Sequence, residues 1–231
     1  MVCLRILGTL VVSTLLGLTN SLPAAFIIDD GFNDGDFTNG ADANDVAWTN
    51  LTSNVSLFVE PDATIGSGNA LKATAAGQFS RIWTNFPAVT LNPGDNLTLR
   101  FDFHFLQNPT SVANQFRIGL FNNGGTNGTQ NNDFGYGFQS NVGLDSSSGT
   151  LLFEEPVGAE ILGGSAPGSI ATFGTAGTSF NSPTSEFHSA VYSITRNLSG
   201  GLEFQASIDG ATAATGTDAP ALTTTVHVLA F

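Results

Sequence analysis

Residues 97–105 constrain the fold more than any other stretch of the chain. Leu97, Leu99, Phe101, Phe103 and Phe105 are apolar, and Thr98, Arg100, Asp102 and His104 stand between them. Only a period of two gathers such a set on one side, so the segment reads as a long strand with one buried face and one solvated face. A helix would scatter the five apolar residues around its circumference. The same alternation recurs at Leu202, Phe204, Ala206 and Ile208 against Glu203, Gln205, Ser207 and Asp209, and more briefly at Phe116, Ile118 and Leu120. Further strands are expected over residues 46–50, 55–60, 70–74, 79–86, 134–138, 151–153, 187–195 and 224–231. Turn chemistry separates them, as at Asn92-Pro93-Gly94-Asp95, Asn122-Asn123-Gly124-Gly125 and Asp209-Gly210. Strands at this spacing, without a helical period, predict an all-β fold of two antiparallel sheets stacked as a sandwich. Residues 122–133 and 158–183, rich in Gly, Ser, Thr and Asn, read as long surface loops.

Composition agrees with an absence of helices. Charged residues are 11% of the 231, against about 25% in an average soluble domain. Lys72 is the single lysine, so no charged helical surface can be covered. The net charge of −13 repels phosphate backbones and anionic lipid, which excludes nucleic acid as a partner. Residues 1–5 carry one positive charge, residues 6–18 are apolar, and residues 19–25 are small and polar around Pro23. This is the pattern of a secretory signal peptide, cut between Ser21 and Ala25, and its apolar run is too short to span a bilayer. Export to the cell surface or the medium is therefore expected, with no membrane-spanning segment after signal removal. The signal also carries away Cys3, the one cysteine, so residues 26–231 form a single domain held by core burial or by a metal rather than by disulfides. The sequence stops inside an apolar run, residues 226–231, which points to a truncated C-terminus or else to a short final strand.

Several segments together resemble a known family. They are residues 28–36 (Ile-Asp-Asp-Gly-Phe-Asn-Asp-Gly-Asp), residues 62–71 (Asp-Ala-Thr-Ile-Gly-Ser-Gly-Asn-Ala-Leu), residues 86–91 (Phe-Pro-Ala-Val-Thr-Leu), residues 97–103 and residues 116–122. The chain resembles exported bacterial proteins with a concanavalin A-like lectin and glucanase jelly roll, including the PEP-CTERM-sorted surface proteins, whose Val-Pro-Glu-Pro sorting tail has no counterpart here. The resemblance implies a jelly-roll sandwich and a glycan partner without choosing a reaction. It also implies a structural calcium near the chain ends.

Catalytic patterns of that superfamily are not met. Its retaining glucanases place carboxylates as Glu-x-Asp-x-x-Glu on one strand, where alternation puts all three on one face. Glu60-Pro61-Asp62 begins the pattern, but Ile65 stands at the last position, so the trio reads as a strand-end turn. Glu154 and Glu155 are adjacent and must point to opposite faces. The Gln-x-His and Tyr-x-Lys pairs of its alginate-lyase-like members are missing around His104, His188, His227 and Lys72. Gly177-Thr178-Ser179-Phe180-Asn181 fails the nucleophile elbow at its last residue. The five Asn-x-Ser/Thr sequons are close to the number chance provides and carry no argument.

Two candidate sites remain. Arg100, Asp102 and His104 form an exposed ladder, with Arg117 on a neighbouring strand, and Trp83 and Tyr136 are the aromatics best suited to stacking on sugars while a polar tip stays wet. Asp29, Asp30, Asn33, Asp34 and Asp36 supply hard oxygen ligands around Gly31 and Gly35, which suits one calcium ion or, equally, a plain acidic turn. The reading is thus a secreted or surface domain that binds polysaccharide without catalysis. The alternatives are a structural matrix or surface-layer component and, less favoured, a divergent polysaccharide lyase or glycosidase.

Overall fold

A computed structural model of the chain describes residues 2–5, 11–14, 25–38, 44–66, 68–76, 80–106, 115–123, 133–141, 149–159, 161–162, 171–177 and 186–231. Every regular element among them is a β-strand. In chain order these are β1 (Val2–Arg5), β2 (Val11–Thr14), β3 (Ala25–Phe26), β4 (Trp48–Asn50), β5 (Val55–Pro61), β6 (Asn69–Ala75), β7 (Ile82–Thr90), β8 (Asp95–Phe105) and β9 (Gln115–Asn122). There follow β10 (Asp133–Asn141), β11 (Leu151–Ala159), β12 (Ala171–Phe173), β13 (Thr175–Ala176), β14 (His188–Arg196), β15 (Leu202–Ile208), β16 (Ala211–Asp218) and β17 (Thr225–Ala230).

The strands form two antiparallel sheets. The first has the order β13-β16-β15-β14-β8-β1-β6-β5, with β2 also on β8 and β3 on β2; the second has the order β12-β11-β10-β9-β17-β7-β4. No helix of the described residues is long and apolar enough to cross a membrane.

The alternation of β8 appears in its burial. Leu97, Leu99, Phe101, Phe103 and Phe105 are all buried and join one apolar core with Phe116, Ile118, Leu120, Tyr136, Phe138 and Leu229 of the second sheet. Ring contacts cross the interior: Phe103 stacks on Phe116 with centroids 5.0 Å apart, Phe101 meets Phe231 edge-on at 5.4 Å, and Trp48 meets Phe231 at 5.7 Å. Such pairs contribute beyond their area alone. Two tyrosines of the core differ in one respect. The Tyr136 hydroxyl donates to Asp218 and accepts from the Leu222 amide, whereas the fully buried Tyr192 hydroxyl has no hydrogen-bond partner among the described residues.

Several expectations shift. The strand expected over 79–86 is β7 and runs on to Thr90 through Pro87. The register of β17 against β7 slips between Val226 and Val228, and this bulge lies opposite the proline, where a missing N–H costs no ladder bond. Residues 171–177, expected in a loop, form β12 and β13, and the neighbouring Ile161 and Leu162 are buried. β16 is an added strand whose Ala-Thr-Gly sequence gave no contrast to read. Val2–Arg5 and Val11–Thr14, within the expected export signal, are strands of the first sheet.

Two substitutions test this core. Phe103→Ala should cost about 3–5 kcal/mol in denaturant unfolding, because it empties the centre of the aromatic row. Tyr192→Phe should be neutral or stabilise by about 1 kcal/mol, because it removes a buried hydroxyl that has no partner.

Candidate functional site

Register assigns each expected site residue to a face. Phe58 of β5 is paired with Lys72 of β6, Lys72 with Cys3 of β1, and Cys3 with His104 of β8, so these positions form one row across the outer face of the first sheet. Asp102 and Arg100 follow His104 on the same outer face of β8, since the odd-numbered residues between them are buried. Arg100 is exposed and Asp102 is half-buried. His104 does not extend the exposed ladder expected from the alternation: it is buried, its Nε2 held 2.7 Å from Oδ2 of the largely buried Asp62. Asp62 Oδ1 accepts the amides of Thr64 and Ile65, which makes residues 60–65 the strand-end turn that the sequence implied. Lys72 Nζ bonds Glu60 at 2.6 Å. Phe58 is 51% exposed. Sequence reasoning passed over it, although it stands out of phase between Leu57 and Val59, both half-buried against the core.

Trp83 and Arg117 lie on the opposite side of the molecule, on the outer face of the second sheet. Trp83 is paired with Ala230 and Thr49, and Arg117 with Gln139. This face is partly roofed. Ile161 and Leu162 are buried over Phe121, Phe153, Val228 and Ala230, with Trp83 and Leu51 packed alongside. Arg117 holds the roof down, donating from Nη1 to the Leu162 carbonyl at 2.8 Å and from Nε to Gln139 Oε1 at 3.2 Å. Gly119, Gly135 and Gly137 make the floor, because a Cβ at any of them would run into the rings of Phe121 or Phe153 or into the neighbouring backbone. Trp83 is half-buried and its indole Nε1 finds no acceptor among the described residues.

Tyr136 is on neither face. It is fully buried between the sheets, because it shares its side of β10 with Phe138 while Gly135 and Gly137 occupy the other side. The six residues proposed from sequence therefore divide into Arg100, Asp102 and His104 on one outer face, Trp83 and Arg117 on the other, and Tyr136 in the core. They do not make one surface.

Beneath the roof sit buried acids. Glu155 is completely buried, and neither carboxylate oxygen makes a hydrogen bond of ordinary geometry among the described residues. Burial pushes its pKa up to about 9, the Asp133 charge adds to the rise, and the Leu162 amide, Arg81 and Arg117 oppose it without overcoming it. Asp133 is raised to about 6, also by burial. Glu154, on the opposite face of β11 as alternation requires, is raised too, by burial and the nearby Asp218.

The acidic loop is only partly assembled as expected. Asp34, Asp36 and Asp45 bring carboxylate oxygens within 4.8 Å of one another, and Asp45 was outside the set proposed from sequence. Asp36 Oδ1 accepts the Thr38 amide at 2.8 Å and Asp34 Oδ1 the Asp36 amide at 3.2 Å, which shapes the loop. Asp30 is used elsewhere: it is buried and accepts the Trp48 indole N–H at 2.7 Å and the Phe32 amide at 3.1 Å. Desolvation raises it to about 8 despite the indole bond. Asp29 and Asn33 are exposed, and Asp29 lies outside the carboxylate group. An all-carboxylate donor set suits a hard cation such as calcium.

Fold and faces together define a two-sheet antiparallel all-β protein whose first sheet presents exposed Phe58 and Arg100 and whose second is partly roofed. The chain matches no family model, no curated protein and no solved structure.

The buried acid makes a measurable prediction. A carboxyl whose folded pKa exceeds its unfolded value favours the folded state fully below the unfolded pKa, 4.5 for Glu155, and that advantage fades as pH rises toward about 9. Glu155→Gln should flatten this decline. At pH 9 its Tm should exceed that of the unsubstituted protein by about 5 °C, on the order of 2 kcal/mol for a chain of this size, and the two should converge below about pH 5. Thermal scans across that range check it.

Proposed function

We propose that the protein is an exported domain of the concanavalin A-like jelly-roll type that binds polysaccharide without cleaving it. The carrying observation is the outer face of the first sheet, where the 51% exposed Phe58 of β5 stands opposite Lys72 of β6 and β8 carries exposed Arg100 and half-buried Asp102. A ring bordered by fixed charges can stack on the apolar face of a sugar while the charges bond its hydroxyls. The Lys72–Glu60 pair holds the lysine beside the ring in place, so little rotamer freedom is lost on binding. Trp83 on the opposite face is half-buried with its indole N–H shut inside, so this reading rests on the first sheet alone. Calcium belongs to the same reading: Asp34, Asp36 and Asp45 would hold it at the loop that Asp30 ties to Trp48, and the ion would fix the loop rather than touch the sugar.

Affinity electrophoresis against plant, algal and bacterial polysaccharides, with calcium and with a chelator, tests this reading. Retention on one glycan class is expected, and Phe58→Ala should weaken it about tenfold with little change in Tm, since the ring is exposed. Arg100→Ala should act in the same direction. The chelator should lower Tm more than it lowers retention. No retention on any class in either arm sinks the binding reading and leaves a structural matrix component in its place.

A further inference from the structure

The first sheet is held closed by the segment that the sequence marks for removal. β1 is antiparallel to both β6 and β8, so those two strands run parallel to each other with β1 between them. β2 continues along the same edge of β8. Val2 to Arg5 pair with Phe105 to Asp102, and Val11 to Thr14 with Thr98 to Asp95, so β1 and β2 line the two ends of one edge of β8. The apolar positions match as well: Val2 stands opposite Phe105 and Ala73, Leu4 opposite Phe103 and Leu71, and Val12 opposite Leu97. Phe105, Phe103, Leu97 and Leu71 are all buried core residues. Arg5 stands opposite Asp102.

Loss of residues 1–25 would strip one edge of the eleven-residue strand at the centre of the core and would leave a one-strand gap beside β6. A bare edge of that length next to buried phenylalanines is a template for another strand. We propose that the gap between β6 and β8 is a strand-acceptor site, which in the processed protein receives an extended strand from a partner polypeptide by β-augmentation. The incoming strand runs antiparallel to both neighbours and carries apolar residues at alternate positions. It is basic, because the chain's net charge of −13 disfavours a second copy and Asp102 faces the position that Arg5 holds here. This inference rests on the export reading, since the gap opens only if the signal is removed.

The test has separable arms. In the unprocessed chain, Lys72→Cys should form a disulfide with Cys3 on mild oxidation, since the two are directly paired; no disulfide would mean that the segment does not seat there, and the site is wrong. The mass of the exported protein shows whether the signal is cut. Retention of residues 1–25 would overturn both the export reading and the partner strand, while a seated Cys3 would still identify the slot as an internal one.

For the processed protein, the probe is a synthetic peptide of residues 1–14 with a C-terminal tri-lysine tag, compared with a shuffled peptide of the same composition. The native-order peptide should bind at least tenfold more tightly. It should protect the amides of β6 and β8 from hydrogen exchange, and it should cross-link to the Lys72→Cys variant only with its cysteine at position 3. If the processed protein does not fold alone, the native-order peptide, and not the shuffled one, should restore its refolding yield. Equal effects of the two peptides, a cross-link without register dependence, or self-association through this edge that the peptide leaves unchanged would each overturn the proposal.

Discussion

The inward row of β8 is what the two sheets rest on. Five consecutive alternate side chains, from Leu97 to Phe105, fill the centre of the interior and meet Phe116 and Phe231 from the other side. No disulfide is available to share the task, since the chain has one cysteine. Burial of aromatic and aliphatic surface must therefore supply nearly all of the favourable free energy. Because β8 is also the strand on which β14, β1 and β2 all pair, any change in its position is felt across the whole first sheet.

The polar outer row of the same strand follows from the inner one. Once Phe103 and Phe105 are fixed inward, Asp102 and His104 have no choice of face, and the positions opposite them on β1 and β6 inherit that orientation. The second sheet solves the matching problem differently. Its outer face carries glycine where a side chain would collide, and it uses those vacancies to lay Phe121 and Phe153 flat under Ile161 and Leu162. The result is a second, smaller apolar cluster outside the sandwich. That cluster is what desolvates Glu155 and Asp133 and sets their acidity.

Much of the fold was legible because alternation is strong wherever large apolar residues oppose charged ones, as in β8 and β15. It failed where the residues are small. β16 presents Ala, Thr and Gly, which carry almost no contrast between faces, yet its Ala213 and Ala214 are buried. Tyr136 was misjudged for a related reason. The Gly-Tyr-Gly spacing already says that the ring has an inward side to itself, but a tyrosine was credited with a wet tip that Asp218 satisfies in the interior instead. Phe58 is legible from its phase, since it alternates with Leu57 and Val59. Asp45 was not readable, because it joins Asp34 and Asp36 only through the return of the loop past the Thr38–Ala47 bridge. The splitting of Trp83 and Arg117 from Arg100, Asp102 and His104 depends on which sheet each strand joins, and single-strand periodicity carries no such information.

β17 lies between β9 and β7, two strands that do not pair with each other, and it follows every other strand of its sheet along the chain. During synthesis these two pieces of the second sheet therefore stay separate until β17 is made. The long-range pairings that close it are also the slowest to form. A chain built this way resists premature closure, because the strand that joins the two pieces comes late in the sequence.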